Sequence, residues 1–81
     1  MSIGELIRDK RKYLKLSQQE LADKIGVSKS AISRYESGQI GNMGIDKAQS
    51  LVKALKLDPL VLLDFARVGV GLGRIARVFG F

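Results

Sequence analysis

Four side chains in one short stretch, Lys29, Ser30, Ser33 and Arg34, share a single kind of chemistry. Each donates hydrogen bonds, two carry positive charge, and none is a ready general base. On a helix, at about 100° per residue, they fall within an arc of roughly 140°, with Ala31, Ile32 and Tyr35 on the opposite side. Such a face is suited to meeting acceptor atoms and negative charge, not to breaking bonds. The rest of the composition agrees. The 81 residues contain no cysteine and no histidine, which removes disulfides, thiolate metal sites and most nucleophilic, general-base and zinc chemistry. The acids Glu5, Asp9, Glu20, Asp23, Glu36, Asp46, Asp58 and Asp64 are explained by caps, helix faces or pairs, and none forms a paired-carboxylate or metal spacing. The sequence therefore reads as a non-enzyme, with no metal and no other cofactor.

The stretch that must position those four residues runs from Ser17 to Gly38. Ser17 can N-cap a helix, and Glu20 sits at the capping-box spacing. Leu21, Ala22 and Ile25 supply one apolar face of a helix over roughly Gln18 to Ile25. Gly26 interrupts the pattern, as a residue required to take positive φ does. Val27 packs, Ser28 can cap a second helix over roughly Lys29 to Ser37, and Ala31, Ile32 and Tyr35 form its inner face. Two helices meeting at a glycine turn make a helix-turn-helix, whose second helix enters the major groove of DNA. In that setting Lys29 and Arg34 can donate to guanine O6 and N7, while Ser30 and Ser33 donate or accept and are less selective. Ala31, if partly turned outward, could touch a thymine methyl group.

The run Ser17-Gln18, Glu20-Leu21-Ala22, Gly26-Val27-Ser28, Ile32-Ser33, Tyr35-Glu36 and Gly38 resembles the Cro/repressor helix-turn-helix family of phage and bacterial regulators, the lambda-repressor-like domains. A weaker pattern extends from about Ile3 to about Leu63. The resemblance implies an all-α fold, a compact bundle of five short helices with the helix-turn-helix at helices 2 and 3. It also implies roles. Gln18, with the N–H groups of its helix terminus, would hold a phosphate, and Gln19 would either help there or be simply solvated. Ser28 joins the phosphate set. Arg11 would pair with Glu36, tying the first helix to the third and holding the guanidinium near a phosphate. The loop after the third helix, Gly38 to Gly44, would contact phosphates through Gln39 and Asn42, or serve only as a flexible connector. It is about one residue longer than the common family spacing and lacks the proline often found there. Lys56 stands where many members have glycine.

The remaining elements frame this unit. Ser2 and Glu5 repeat the capping-box spacing, and Ile3, Leu6, Ile7 and Leu14 recur at helical spacing, with Gly4 a local weakness. The outer face, Arg8, Lys10, Lys12 and Lys15, reads as an ordinary solvated surface. A fourth helix is expected from about Ile45 to Lys56, with Ala48, Leu51, Val52 and Leu55 buried. Asp58-Pro59 signals a fifth helix, an N-cap followed by proline at the first position. That helix carries more apolar residues than one buried stripe needs. Leu60, Val61, Phe65, Val68 and Leu72 are therefore candidates for a dimer interface. Val61, Phe65, Val68, Leu72, Ile75 and Phe79 follow heptad spacing, against which Gly69, Gly71 and Gly73 argue. A short strand, packing on the fifth helix, disorder, or a basic end touching DNA or a membrane surface are the other readings of residues 66–81.

At this length the chain makes one small domain, residues 1–65, followed by a basic glycine-rich tail, residues 66–81. The net charge of +6 and pI near 10.0 favour a polyanionic partner, or else a solvated basic surface. There is no run of about 18 apolar residues, so no membrane span is expected, and the N-terminus lacks a signal-peptide core. A cytoplasmic location in a bacterium or phage-infected cell is the default. The expected function is sequence-specific binding of double-stranded DNA by a homodimer on a pseudo-palindromic operator, most simply as a transcriptional repressor. The competing readings are an antitoxin-like autoregulator, which also binds a protein partner through the fifth helix and the tail, and a protein–protein module that borrows the fold.

Overall fold

The first three helices and the 3₁₀ turn that opens the fifth begin where the sequence supplies a side-chain cap. In the computed structural model, which describes residues 2–41 and 43–67, Ser2 and Glu5 form a reciprocal capping box at the start of α1 (Ile3–Tyr13). Ser17 and Glu20 do the same for α2 (Gln18–Ile25). Ser28 accepts from the Ala31 N–H at 3.1 Å and opens α3 (Lys29–Glu36). Gly44 precedes α4 (Ile45–Ala54) without a side-chain cap. Asp58 accepts from the Leu60 N–H at 2.9 Å and starts a 3₁₀ turn, Pro59–Val61, which runs into α5 (Leu62–Arg67). Among the described residues the chain is all α, without a strand.

The helix ends explain where expectation and structure part. Gly26 takes φ 73°, the left-handed conformation that lets the chain reverse between α2 and α3. Lys15 (φ 60°) and Lys56 (φ 55°) adopt the same conformation, which glycine usually supplies. Leu16 N–H then donates to Arg11 C=O at 3.0 Å, and Leu57 N–H to Val52 C=O at 2.9 Å, the six-residue closure of a Schellman motif. The fourth helix therefore stops at Ala54 rather than running to Lys56, and the first stops at Tyr13. The fifth begins as a 3₁₀ turn because the proline ring and the Asp58 cap tighten its first residues.

Every helix or its cap sends at least one large side chain fully into one core: Ile7, Leu21, Ile32, Leu51 with Leu55, and Phe65. Burying a side chain of this size contributes about 1.5–3 kcal/mol. Within this core α3 packs against both α1 and α2, α2 also meets α4, and α4 receives the 3₁₀ turn and α5. The helix-turn-helix is thus held from two sides. Ile40 and Met43 are buried too, so the segment after α3 is anchored rather than a loose connector.

Phe65 requires a correction. It is 0% exposed and fills the centre of the core, so it is not a residue of an intersubunit surface. The spacing of Val61 and Phe65 serves the chain's own interior, with Val61 half-buried against the same cluster. The exposed apolar side chains nearby are Leu60 at 70% and Leu63 at 49%. Val68 and Leu72 lie outside the described residues, as does the rest of the tail beyond residue 67, whose first two residues, 66 and 67, close α5.

Candidate nucleic-acid interface

The outward face of α3 follows from the inward one. Ile32 and Tyr35 are pinned in the core, and the 3.6-residue period then turns Lys29, Ser30, Ser33 and Arg34 into solvent, where all four are exposed. Ala31 is 6% exposed and turns inward, so its methyl group is not offered to a thymine. Ser28 is exposed, and its oxygen caps the Ala31 N–H, which leaves its own O–H free to donate. Beyond α3, Gln39 is exposed and borders an open recess that it shares with Arg34, Tyr35 and Gly41. Its backbone N–H is held by Arg34 C=O at 2.9 Å. Asn42 lies outside the described residues.

At the C-terminal end of α3 a polar cluster is almost closed to solvent. Arg11 Nε donates to Glu36 Oε2 at 2.6 Å and Nη2 to Oε1 at 3.2 Å, while Nη1 donates to Leu16 C=O at 2.9 Å. Gln18 Nε2 also donates to Glu36 Oε1, at 3.1 Å. Two parallel N–H···O contacts from one guanidinium to one carboxylate form a strong, directional pair. Arg11 is 9% exposed and three of its N–H groups are engaged. In the free protein its work is to hold Glu36, and a phosphate would find little of it to touch. The pair also neutralises an acid that would otherwise repel a polyanion. Gln18 belongs to both groups: its half-buried amide is tied to Glu36, while the first-turn N–H groups of α2 project where an anion is favoured. Gln19 is exposed and donates to Asp23 Oδ1 at 2.9 Å.

The capping carboxylates have shifted acidities. Glu20 is held below its ordinary value by the Ser17 backbone N–H and then by the Ser17 hydroxyl. Glu5 is lowered by the Ser2 hydroxyl first and the Ser2 N–H second. Both donors stabilise the charged carboxylate.

Two contacts had no counterpart in the sequence reading. Lys47 Nζ reaches from α4 to Ile25 C=O at 3.2 Å, closing the carbonyl end of α2 beside the Gly26 turn. Gly4 is buried directly against the backbone of Glu36 and Gly38. A lysine meeting a main-chain carbonyl 22 residues away leaves no pattern in residue types. Gly4 did stand out, as a poor helix former, and the close approach is what its missing side chain permits. Among the described residues no group of acids could hold a metal ion, and no helix is long and apolar enough to cross a membrane.

Known proteins share this fold. A solution structure of the DNA-binding domain of the P22 C2 repressor, residues 1–76, superimposes with a TM-score of 0.67 at 38% identity, covering 79% of this chain and 83% of that one. An HTH-type transcriptional regulator of Sinorhizobium fredii (strain NBRC 101917 / NGR234), y4wC, is 35% identical over 57 residues, which is 70% of this chain. The aligned part makes up 39% of that relative's length. The helix-turn-helix family profile matches residues 7–62, spanning α2, the Gly26 turn and α3 together with most of their supporting helices. With the capped helix pair, the glycine turn and the core that fixes them, this match places the chain in the lambda-repressor-like helix-turn-helix family of DNA-binding transcriptional regulators.

Proposed function

We propose that this protein is a transcriptional repressor that binds a pseudo-palindromic operator as a homodimer in the bacterial cytoplasm, blocking a promoter by occupying it. The observation that carries the reading is the exposed row Lys29, Ser30, Ser33 and Arg34 on a helix whose other face is locked in the core. Lys29 and Arg34 read guanine edges, and the two serines adjust to their neighbours. The N-terminus of α2 with Gln18, the Ser28 hydroxyl, Gln39 and Asn42 sets the register on phosphates. Gln19 reinforces the same strand. Leu60 and Leu63, solvent-exposed beside the core, supply the apolar contact between copies. Selection of bound sites from random duplex DNA tests this directly, because it returns the sequence and its symmetry together. On the selected site, Arg34→Ala should cost about 1–3 kcal/mol and relax the preference at one base pair, with little loss on random duplex. Equal loss on both duplexes would remove Arg34 from base reading. Affinity should also fall steeply between low and moderate salt, as counterions are released.

A further inference from the structure

We propose that Gly4 is a positioning residue for DNA binding: its missing side chain sets how closely α1 approaches the C-terminal end of α3. The inference rests on the DNA-binding reading above. A Cβ on Gly4 would lie 2.4 Å from the Glu36 carbonyl oxygen, 2.9 Å from its carbon and 3.0 Å from the Gly38 nitrogen. These are backbone atoms, which cannot swing aside as a long side chain can. Any substitution must therefore push α1 and the end of α3 apart.

That contact does not act alone. Glu36 is gripped twice by α1, at its main chain by Gly4 and at its carboxylate by Arg11, two turns further along the same helix. The same carboxylate receives Gln18 from the start of α2. The Gly4 approach fixes the distance between helices, and the ion pair fixes the rotation of α3 at that distance. Together they set the base-facing row of α3 relative to the anion-facing terminus of α2. Lengthening the approach would leave each DNA-contacting side chain intact and disturb their mutual register. Sequence-specific binding depends on that register, whereas contact with phosphates tolerates a small displacement.

The test compares the wild-type chain, Gly4→Ala and Ile7→Val. Ile7 is fully buried on the same helix, so Ile7→Val weakens packing without adding an atom at Glu36. In the free proteins, Gly4→Ala should move the amide resonances of Ser33 to Gly38 more than those of Leu21 to Ile25, and Ile7→Val should not show this bias. On DNA, the ratio of affinity for the wild-type selected duplex to that for a scrambled duplex of equal length should fall about tenfold for Gly4→Ala, the size of one disrupted base contact. It should change less than about twofold for Ile7→Val at matched stability. Unmoved α3 resonances would overturn the proposal, and so would moved resonances with an unchanged ratio. Failure of the DNA-binding reading is recognised separately, by wild type that binds neither duplex in a salt-dependent way.

Discussion

Glu36 is the residue on which three segments converge: α1 through Gly4 and Arg11, the start of α2 through Gln18, and α3, to which it belongs. Its partner Arg11 is nearly closed to solvent, so removing either charge strands the other in a poorly hydrated site. Glu36→Ala should cost about 3 kcal/mol, which in a domain of this size lowers the melting temperature by roughly 12 °C or more. The apolar pair Arg11→Met with Glu36→Leu should unfold at a higher temperature than either single variant, since no charge is left unpaired. Additive losses in thermal unfolding would show that the desolvated pair is not the source of the penalty. The pairing lay beyond local sequence logic, since 25 residues separate the two side chains and only the family resemblance joined them. Phe65 failed for a different reason. Heptad spacing marks an apolar stripe without saying whether the chain's own core or a second chain covers it, and Phe65 turned inward.

At the scale of the helix, starts were legible and ends less so. A start is written within four residues, by a serine or aspartate and the group that answers it, and Ser2, Ser17, Ser28 and Asp58 all serve as caps. The ends at Lys15 and Lys56 were harder to read because a lysine gives no local sign of a positive φ, and only the family resemblance, with glycine at position 56 in many members, marked one of them. Lys56→Gly should relieve that conformation and gain about 0.5 kcal/mol, the left-handed penalty less the extra freedom of glycine in the unfolded chain. A higher urea midpoint with an unchanged slope would record it. The Ser17 cap makes a pH-dependent prediction. Glu20 has a folded pKa below the ordinary 4.5, so its contribution is complete above that value. It declines as pH falls from about 4.5 through the lower folded pKa, because protonation removes the charge that the Ser17 N–H stabilises. Ser17→Ala removes the hydroxyl but keeps that N–H, so a carboxyl NMR titration should show Glu20 moving part of the way back towards 4.5. A titration midpoint that does not move would assign the shift to the backbone N–H alone.

Among the described residues α3 is the one short helix proposed to read bases, and on the proposed operator its size calls for a second copy. The eight residues of α3 span about 12 Å and present four outward side chains, enough for about four base pairs. A site that short recurs about every 256 base pairs by chance, far too often against the 10⁶ or more competing sites of a genome. Two copies on half-sites about 34 Å apart square that discrimination. Whatever joins them must lie off the α3 face, and Leu60 and Leu63 meet that condition. They are one helical turn apart, exposed, and carried by the segment whose inner side is fixed by Phe65. Charge placed there should separate the copies and leave the fold alone, since neither side chain belongs to the core. The double variant Leu60→Glu, Leu63→Glu should keep the wild-type melting temperature within a few degrees at low protein concentration and sediment as a monomer. On the selected operator it should bind with single-site character, losing at least tenfold in affinity while a lone half-site is bound as wild-type monomer binds it. A variant that still sediments as a dimer would move the interface elsewhere on the chain. Monomeric wild type, with undiminished binding by the variant, would mean that the operator is read by one copy.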